Sequence, residues 1–321
     1  MVSNRPGTWM SCRAAPARPL RAILLSLVLT LALAGCAGSG PTSSSLADND
    51  ALQVVATFGV LGDLVQRVAG GGIAVEVLVG PGGDPHDFRP LPAEQAAVAA
   101  ADVVFAIGPG FEIWLDRLLA SSGTTARTIH VSSGLDPLLT DSGDPDPHVW
   151  HDVGQAIHIV GSVRQALAAA YPADADGFDE RSARLIAELT TLEDWIVAQM
   201  ASIPADRRRL AVNHDSFGHL ARRYGLEMVG AIVPALAGEA VSSSAETFAG
   251  LVDRVRESGV VAIFAEKGTN SRLAAQLAQE AGVPLIDGLY SDTLGPAGGE
   301  AGTYPGMIRA NIGVIVAGLA P

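Results

Sequence analysis

Cysteine is almost missing from this chain: of 321 residues only Cys12 and Cys36 carry a thiol, both near the N-terminus. The rest of the chain has no pair to bridge, which excludes a disulfide framework and thiolate metal sites. Long hydrophobic runs are missing as well. The apolar stretch Ala22–Ala34 has thirteen residues, where a membrane-crossing helix needs about 20. Positive charge is scarce, with 21 Lys and Arg against 34 Asp and Glu. There is no internal repeat and no phosphate-binding glycine loop. Gly70-Gly71-Gly72 and Pro81-Gly82-Gly83 read as turns, because the spacing and following helix of a dinucleotide fingerprint are wrong. No His-Glu-x-x-His helix of the zinc-hydrolase type is present.

The N-terminus has the layout of a secretory signal over residues 1–35: Arg13, Arg18 and Arg21, then the short apolar run, then Ala34-Gly35. Leu33-Ala34-Gly35-Cys36 resembles the lipobox of bacterial lipoproteins, which implies that Cys36 becomes the lipidated first residue. A single acyl chain anchors poorly, and the diacylglyceryl group implied by that resemblance supplies two. Residues 36–50 then read as a polar tether that lets the body float roughly 20 Å from its anchor. Without the four arginines of residues 1–35, 17 basic residues face 34 acidic ones, a net charge of about −17 with histidine neutral. Such a body suits cations and repels nucleic acid and anionic lipid, so the lipid alone is expected to hold it at the membrane. A monomer is expected.

After residue 50, β-branched runs alternate with helical stretches. Strands are predicted at Gln53–Phe58, Val75–Gly80, Asp102–Gly108, Thr128–Ser132, Arg209–Val212, Leu226–Val233, Val260–Ala265 and Val283–Leu289. Helices are predicted between nearly all of them, including Pro92–Ala101, Phe111–Ala120, Phe217–Tyr224, Ala245–Ser258 and Ser271–Ala281. Continuous apolar strands separated by helices imply parallel sheets covered on both faces. From Asp152 to about Met200 the alternation stops. Two helical segments split at Tyr171-Pro172, and Phe178, Leu185, Leu189, Leu192, Ile196 and Met200 form one helical stripe. The expected fold is α/β: two lobes (51–172 and 204–321), each a parallel sheet flanked by helices, joined by a long rigid helix at 173–203.

His86 follows the strand ending near Gly80, and His148 lies in the loop after Thr128–Ser132. His214 closes the first strand of the second lobe, and Asp292 follows Val283–Leu289. All four stand beyond the carboxyl ends of parallel strands, where open α/β sheets place ligands. With two from each lobe, the site would straddle the crevice between lobes. Imidazole suits zinc, copper, iron and nickel, and a carboxylate adds tolerance for manganese. Three His and one Asp make a tetrahedral set that zinc takes readily, with no position left for a catalytic water. Proline before His86 and His148 stiffens the loops that present them. Neutral imidazoles are required, so affinity is expected to fall below about pH 6.5. Glu266, at a strand end, is expected to orient a ligating imidazole from outside the ligand set. His151 reads as the solvated start of the next helix, with ligation as the alternative. His130, His158 and His219 read as packing or surface residues, and Trp114, Trp150 and Trp195 as core.

Taken in order, GGDPHDF, DPHVW, NHDSFGHLARRYGL, VRESGVVAIFAE and YSDTLG…TYPGMIRAN resemble the metal-specific substrate-binding lipoproteins of ABC transporters, a family of zinc- and manganese-binding proteins. The resemblance covers about residues 52–319. It implies a metal buried between two lobes and held by His86, His148, His214 and Asp292. It also implies an extracytoplasmic, lipid-anchored location and delivery to an ABC permease with its cytoplasmic ATPase. Zinc is the expected cargo and manganese the alternative; a zinc-dependent hydrolase is the remote alternative. The chain departs from that pattern in two places. Leu135–Pro147 is acidic and lacks the histidines of many zinc-specific members, and Val241-Ser242-Ser243-Ser244 replaces a usual Glu-Pro-Ser.

Overall fold

The computed structural model describes residues 52–140, 142–237, 245–267 and 271–321. The expected signal, tether, Cys36 and the Val241–Ser244 segment lie outside the described residues. Val54–Phe58 (β1) is apolar or β-branched throughout and buried at every position. It is followed by Gly59–Ala69 (α1), whose Val60, Leu61, Leu64, Val65 and Val68 face inward at helical spacing. Gly62 lets α1 approach the second strand, Val75–Val79 (β2): a Cβ there would meet Val77 Cγ2 at 2.5 Å. Pro92–Ala100 (α2), Val103–Ala106 (β3), Leu115–Ser122 (α3) and Arg127–His130 (β4) complete the first lobe. Its sheet is all parallel, in the order β2-β1-β3-β4.

Val153–Ala170 (α4) is capped by Asp152, whose carboxylate accepts from Gly154 N and Gln155 N. A turn at Tyr171-Pro172 leads into Ala175–Met200 (α5). With 26 residues, α5 is about 39 Å long. The second lobe contains Arg209–His214 (β5), Gly218–Tyr224 (α6), Glu227–Val233 (β6), Ala245–Ser258 (α7), Ile263–Glu266 (β7), Arg272–Ala281 (α8), Leu285–Leu289 (β8) and Tyr304–Leu319 (α9). Its sheet repeats the first, all parallel in the order β6-β5-β7-β8.

The buried face of α5 is the predicted stripe with Ser182 added. It packs on α1 and α4 of the first lobe and on α6 and α9 of the second. One hydrophobic core runs through this junction, from Val54 and Trp150 to Phe217, Phe264 and Leu319. A smaller cluster between the second sheet and α7 and α8 includes Ile232, Leu251, Val255 and Leu277. The described residues therefore form one compact unit. The predicted α3 begins four residues late. Glu112 is drawn inward instead, accepting from Thr57 Oγ1 (2.7 Å) and the amides of Ile107 (2.8 Å) and Gly108 (3.2 Å). Among the described residues, no helix is long and apolar enough to cross a membrane.

Candidate metal centre

In both sheets the chain order reverses beside the first strand, the point at whose carboxyl ends open parallel sheets take their ligands. His86 lies in the loop after β2, where Asp84 Oδ1 accepts from His86 N at 2.8 Å. Trp114 Nε1 donates to the Pro85 carbonyl at 2.7 Å, and the Phe111 ring stands edge-on to His86 at 4.8 Å. His148 ends the loop after β4. There Asp146 Oδ1 accepts from His148 N (3.0 Å) and from its Nδ1 (2.7 Å). Each Asp-Pro-His thus makes the same turn, an aspartate accepting from the amide two residues on. Only the second also grips the imidazole.

Burial pushes the Asp146 carboxyl up, but the His148 charge and its two hydrogen bonds outweigh this and hold it below the usual carboxylate range. An ionised carboxylate only accepts, so Nδ1 of His148 carries a hydrogen, and in the neutral ring it is Nε2 that offers the lone pair. That Nε2 lies 3.4 Å from His86 Nε2 and 3.7 Å from Asp292 Oδ1. Asp292 Oδ2 lies 3.3 Å from His86 Nε2 and 3.7 Å from Nδ1 of His214, the last residue of β5. One donor atom from each of His86, His148, His214 and Asp292 falls within 4.8 Å of all the others, with the three histidines buried and Asp292 nearly so.

Buried acceptors crowd this point. His86 Nδ1, both ring nitrogens of His214 and Asp292 Oδ1 are enclosed with no hydrogen-bond partner; of these, His214 Nδ1 and Asp292 Oδ1 face the point where the donors converge, and a cation there would offset the cost of leaving them unpaired. The adjoining cavity has a volume of about 80 Å³ and is lined by residues including His86, His214, Glu266 and Asp292. It admits an ion but not an organic ligand, whose sites span about 300–1,000 Å³. Burial works against ionising Asp292, but the three imidazoles around it push its pKa far below the ordinary value. Burial also works against a charged His214; Glu266 at 3.4 Å and Asp292 overcome it and raise the imidazole to about 9.

Glu266 stands where the sequence placed it, at the end of β7 and facing His214. His151 does not. It closes a short 3-10 helix, Val149–His151, and is fully buried, stacked on Phe217 at 4.5 Å rather than solvated. His158 is exposed on α4 and bonded to the Ser133 carbonyl, while His130 is half-buried on β4. His219 is fully buried on α6, and Trp150 and Trp114 are in the core. Asp146, which accepts from Nδ1 of His148, is a residue sequence reasoning missed. The signal was the aspartate two places before each histidine, in an Asp-Pro-His run of which only the proline was given a role.

Two parallel-sheet lobes on a shared long helix, with three imidazoles and a carboxylate converging between them, define a metal-binding solute-binding protein of the ABC-transporter type. Residues 54–318 match the family model described as zinc-uptake complex component A, periplasmic (ZnuA), and the chain belongs to that family. It is 30% identical over 299 residues to the manganese-binding lipoprotein MntA of Halalkalibacterium halodurans, covering 92% of this chain and 96% of that one. It is also 30% identical over 310 residues to the zinc-binding protein TroA of Treponema pallidum, covering 94% and 99%. The solved TroA structure superposes with a TM-score of 0.79 at 28% identity, over 84% of this chain and 100% of that one. The family is one of transporter binding proteins rather than enzymes, which removes the hydrolase alternative.

Proposed function

We propose that this protein captures a divalent transition metal outside the cytoplasm, zinc first, and delivers it to an ABC permease with its cytoplasmic ATPase. His86, His148, His214 and Asp292 are the ligands in this reading, and Glu266 stands outside the ligand set, 3.4 Å from the His214 nitrogen that faces Asp292. The observation that carries it is the donor spacing. A tetrahedral shell with zinc bonds of about 2.0–2.1 Å has edges of about 3.3–3.4 Å. His86 Nε2 stands 3.3 Å from Asp292 Oδ2 and 3.4 Å from His148 Nε2, two further contacts through one or the other Asp292 oxygen are 3.7 Å, and all four donors lie within 4.8 Å of one another. Manganese is the second reading, favoured by one detail. Asp292 turns both oxygens toward imidazoles, which allows two-oxygen binding and a larger shell of the kind manganese accepts.

Around this site the reading assigns residues 1–35 to an export signal, Cys36 to lipid attachment and residues 36–50 to a tether. It assigns residues 51–172 and 204–321 to the two lobes and 173–203 to the linking helix. The lipid is then the only membrane contact of an acidic monomer that binds no nucleic acid. Equilibrium competition between zinc and manganese on demetallated protein tests the cargo: one equivalent of zinc retained over manganese is expected, and the reverse order would overturn zinc. His214→Ala should abolish tight binding while the fold persists. Unchanged metal content in that variant would refute the ligand set.

A further inference from the structure

His148 takes its orientation from Asp146, and Asp146 is itself seated by the opposite lobe. His219, fully buried on α6, donates from Nε2 to the Asp146 carbonyl at 3.0 Å. Gly218, just before it, packs on the carboxylate: a Cβ there would stand 2.8 Å from Asp146 Oδ2. One carboxylate oxygen therefore serves His148 while the other rests against the start of α6. In the orientation that satisfies its amide, Gln155 donates to His219 Nδ1 (3.0 Å) and to the Val149 carbonyl (3.2 Å). This leaves the His219 hydrogen on Nε2, where Asp146 needs it.

A second fastening runs the other way. Trp150, two residues after His148, is fully buried between Phe58, Phe111 and the His148 ring. Its Nε1 donates to the carbonyl of Ser291 at 3.0 Å, immediately before Asp292. Tyr304, at the start of α9, closes the link by donating from its hydroxyl to the Trp150 carbonyl at 2.7 Å. Each lobe thus holds the backbone beside the other lobe's metal-facing residue.

We propose that Gly218-His219 and Trp150 are positioning residues, a reciprocal clasp that fixes His148 and Asp292 at the spacing of a small tetrahedral shell. The clasp rests on the metal-site reading above. It slows metal release and sets ion preference, because a six-coordinate ion needs the ligands to part and admit further oxygens. A clasp that resists parting penalises that ion more than zinc.

Three variants test the proposal. His219→Leu removes the N–H, His219→Gln restores a side-chain N–H, and Trp150→Phe keeps the ring but loses its donor. Zinc release into a chelator, the zinc-to-manganese affinity ratio and the thermal midpoint of metal-free protein are measured for each. His219→Leu and Trp150→Phe should release zinc about 10- to 100-fold faster, the range for lost outer hydrogen bonds at metal sites. Their preference for zinc over manganese should narrow, and His219→Gln should return toward the parent. Trp150→Phe preserves ring packing, so the test stands if His219→Leu fails to fold. Release rates and affinity ratios that stay at the parent values would overturn the clasp, as would losses that merely follow the thermal midpoint. His86→Ala separates the two claims. Metal retained in that variant overturns the site itself, whereas metal lost there with unaltered clasp variants overturns the clasp alone.

Discussion

Nδ1 of His214 lies 3.4 Å from Oε1 of Glu266 and 3.7 Å from Oδ2 of Asp292, so one imidazole faces two carboxylates in a buried site. These carboxylates raise it to about 9 against the effect of burial. At neutral pH the metal-free protein therefore carries a proton on a nitrogen the metal needs.

Loading at pH 7 should expel that proton. Apparent affinity should climb with pH, by up to about tenfold per unit, until about 9 rather than levelling near 6.5. Titration calorimetry in two buffers of different ionisation enthalpy measures the proton count; a count of zero at pH 7 contradicts the assignment. The same pairing stabilises the metal-free fold fully below about pH 6.5, and that stabilisation should be lost as pH rises through about 9.

His151 should be the reverse case. Both of its ring nitrogens are buried without a hydrogen-bond partner, and burial first, with the His148 charge, pushes it down to about 3. An enclosed polar group left unpaired costs about 1–3 kcal/mol. His151→Leu should therefore raise stability by about 1 kcal/mol or more, read by chemical denaturation, with metal stoichiometry unchanged. The unfolded imidazole takes up a proton below about 6.5 and the folded one does not, so the gain should grow as pH falls through that value. A destabilised variant would show that the imidazole has a partner after all.

Asp146→Asn keeps an acceptor for the His148 amide but removes the charge that fixes the ring's hydrogen on Nδ1. Metal affinity should fall about 10- to 100-fold while circular dichroism stays at the parent signal. Affinity within twofold of the parent would mean the tautomer is set elsewhere.

That His86, His148, His214 and Asp292 converge was legible in the sequence because their position depends on topology: a histidine or aspartate past an apolar strand needs only the strand to be read correctly. Gln53–Phe58 and Ala245–Ser258 were recognisable for the same local reason, an apolar run and a helical stripe with clear ends. Asp146, His151 and His219 were not, because their roles depend on which side chains meet across lobes. Nothing near His219 in the chain tells that its partner is a carbonyl 73 residues away. The late start of α3 has the same origin, since Glu112 answers to Thr57 rather than to its neighbours.

Solution scattering should give superposable profiles for metal-free and loaded protein. The 26-residue α5 packs on helices of both lobes, and Asp63 of α1 accepts from Tyr304 N of α9 at 2.8 Å. Wide hinge closure needs a few residues that absorb large backbone rotations, and a continuous core crosses the junction here. A marked contraction on loading would contradict this.

The donors that converge between the lobes are nitrogen and oxygen only, in a chain whose two cysteines fall within its first 36 residues. Peroxide and thiol–disulfide exchange have no sulfur to attack among the four. With the proposed ligand set, the grip on the ion would not depend on thiol oxidation, and occupancy would follow the free metals and the proton concentration.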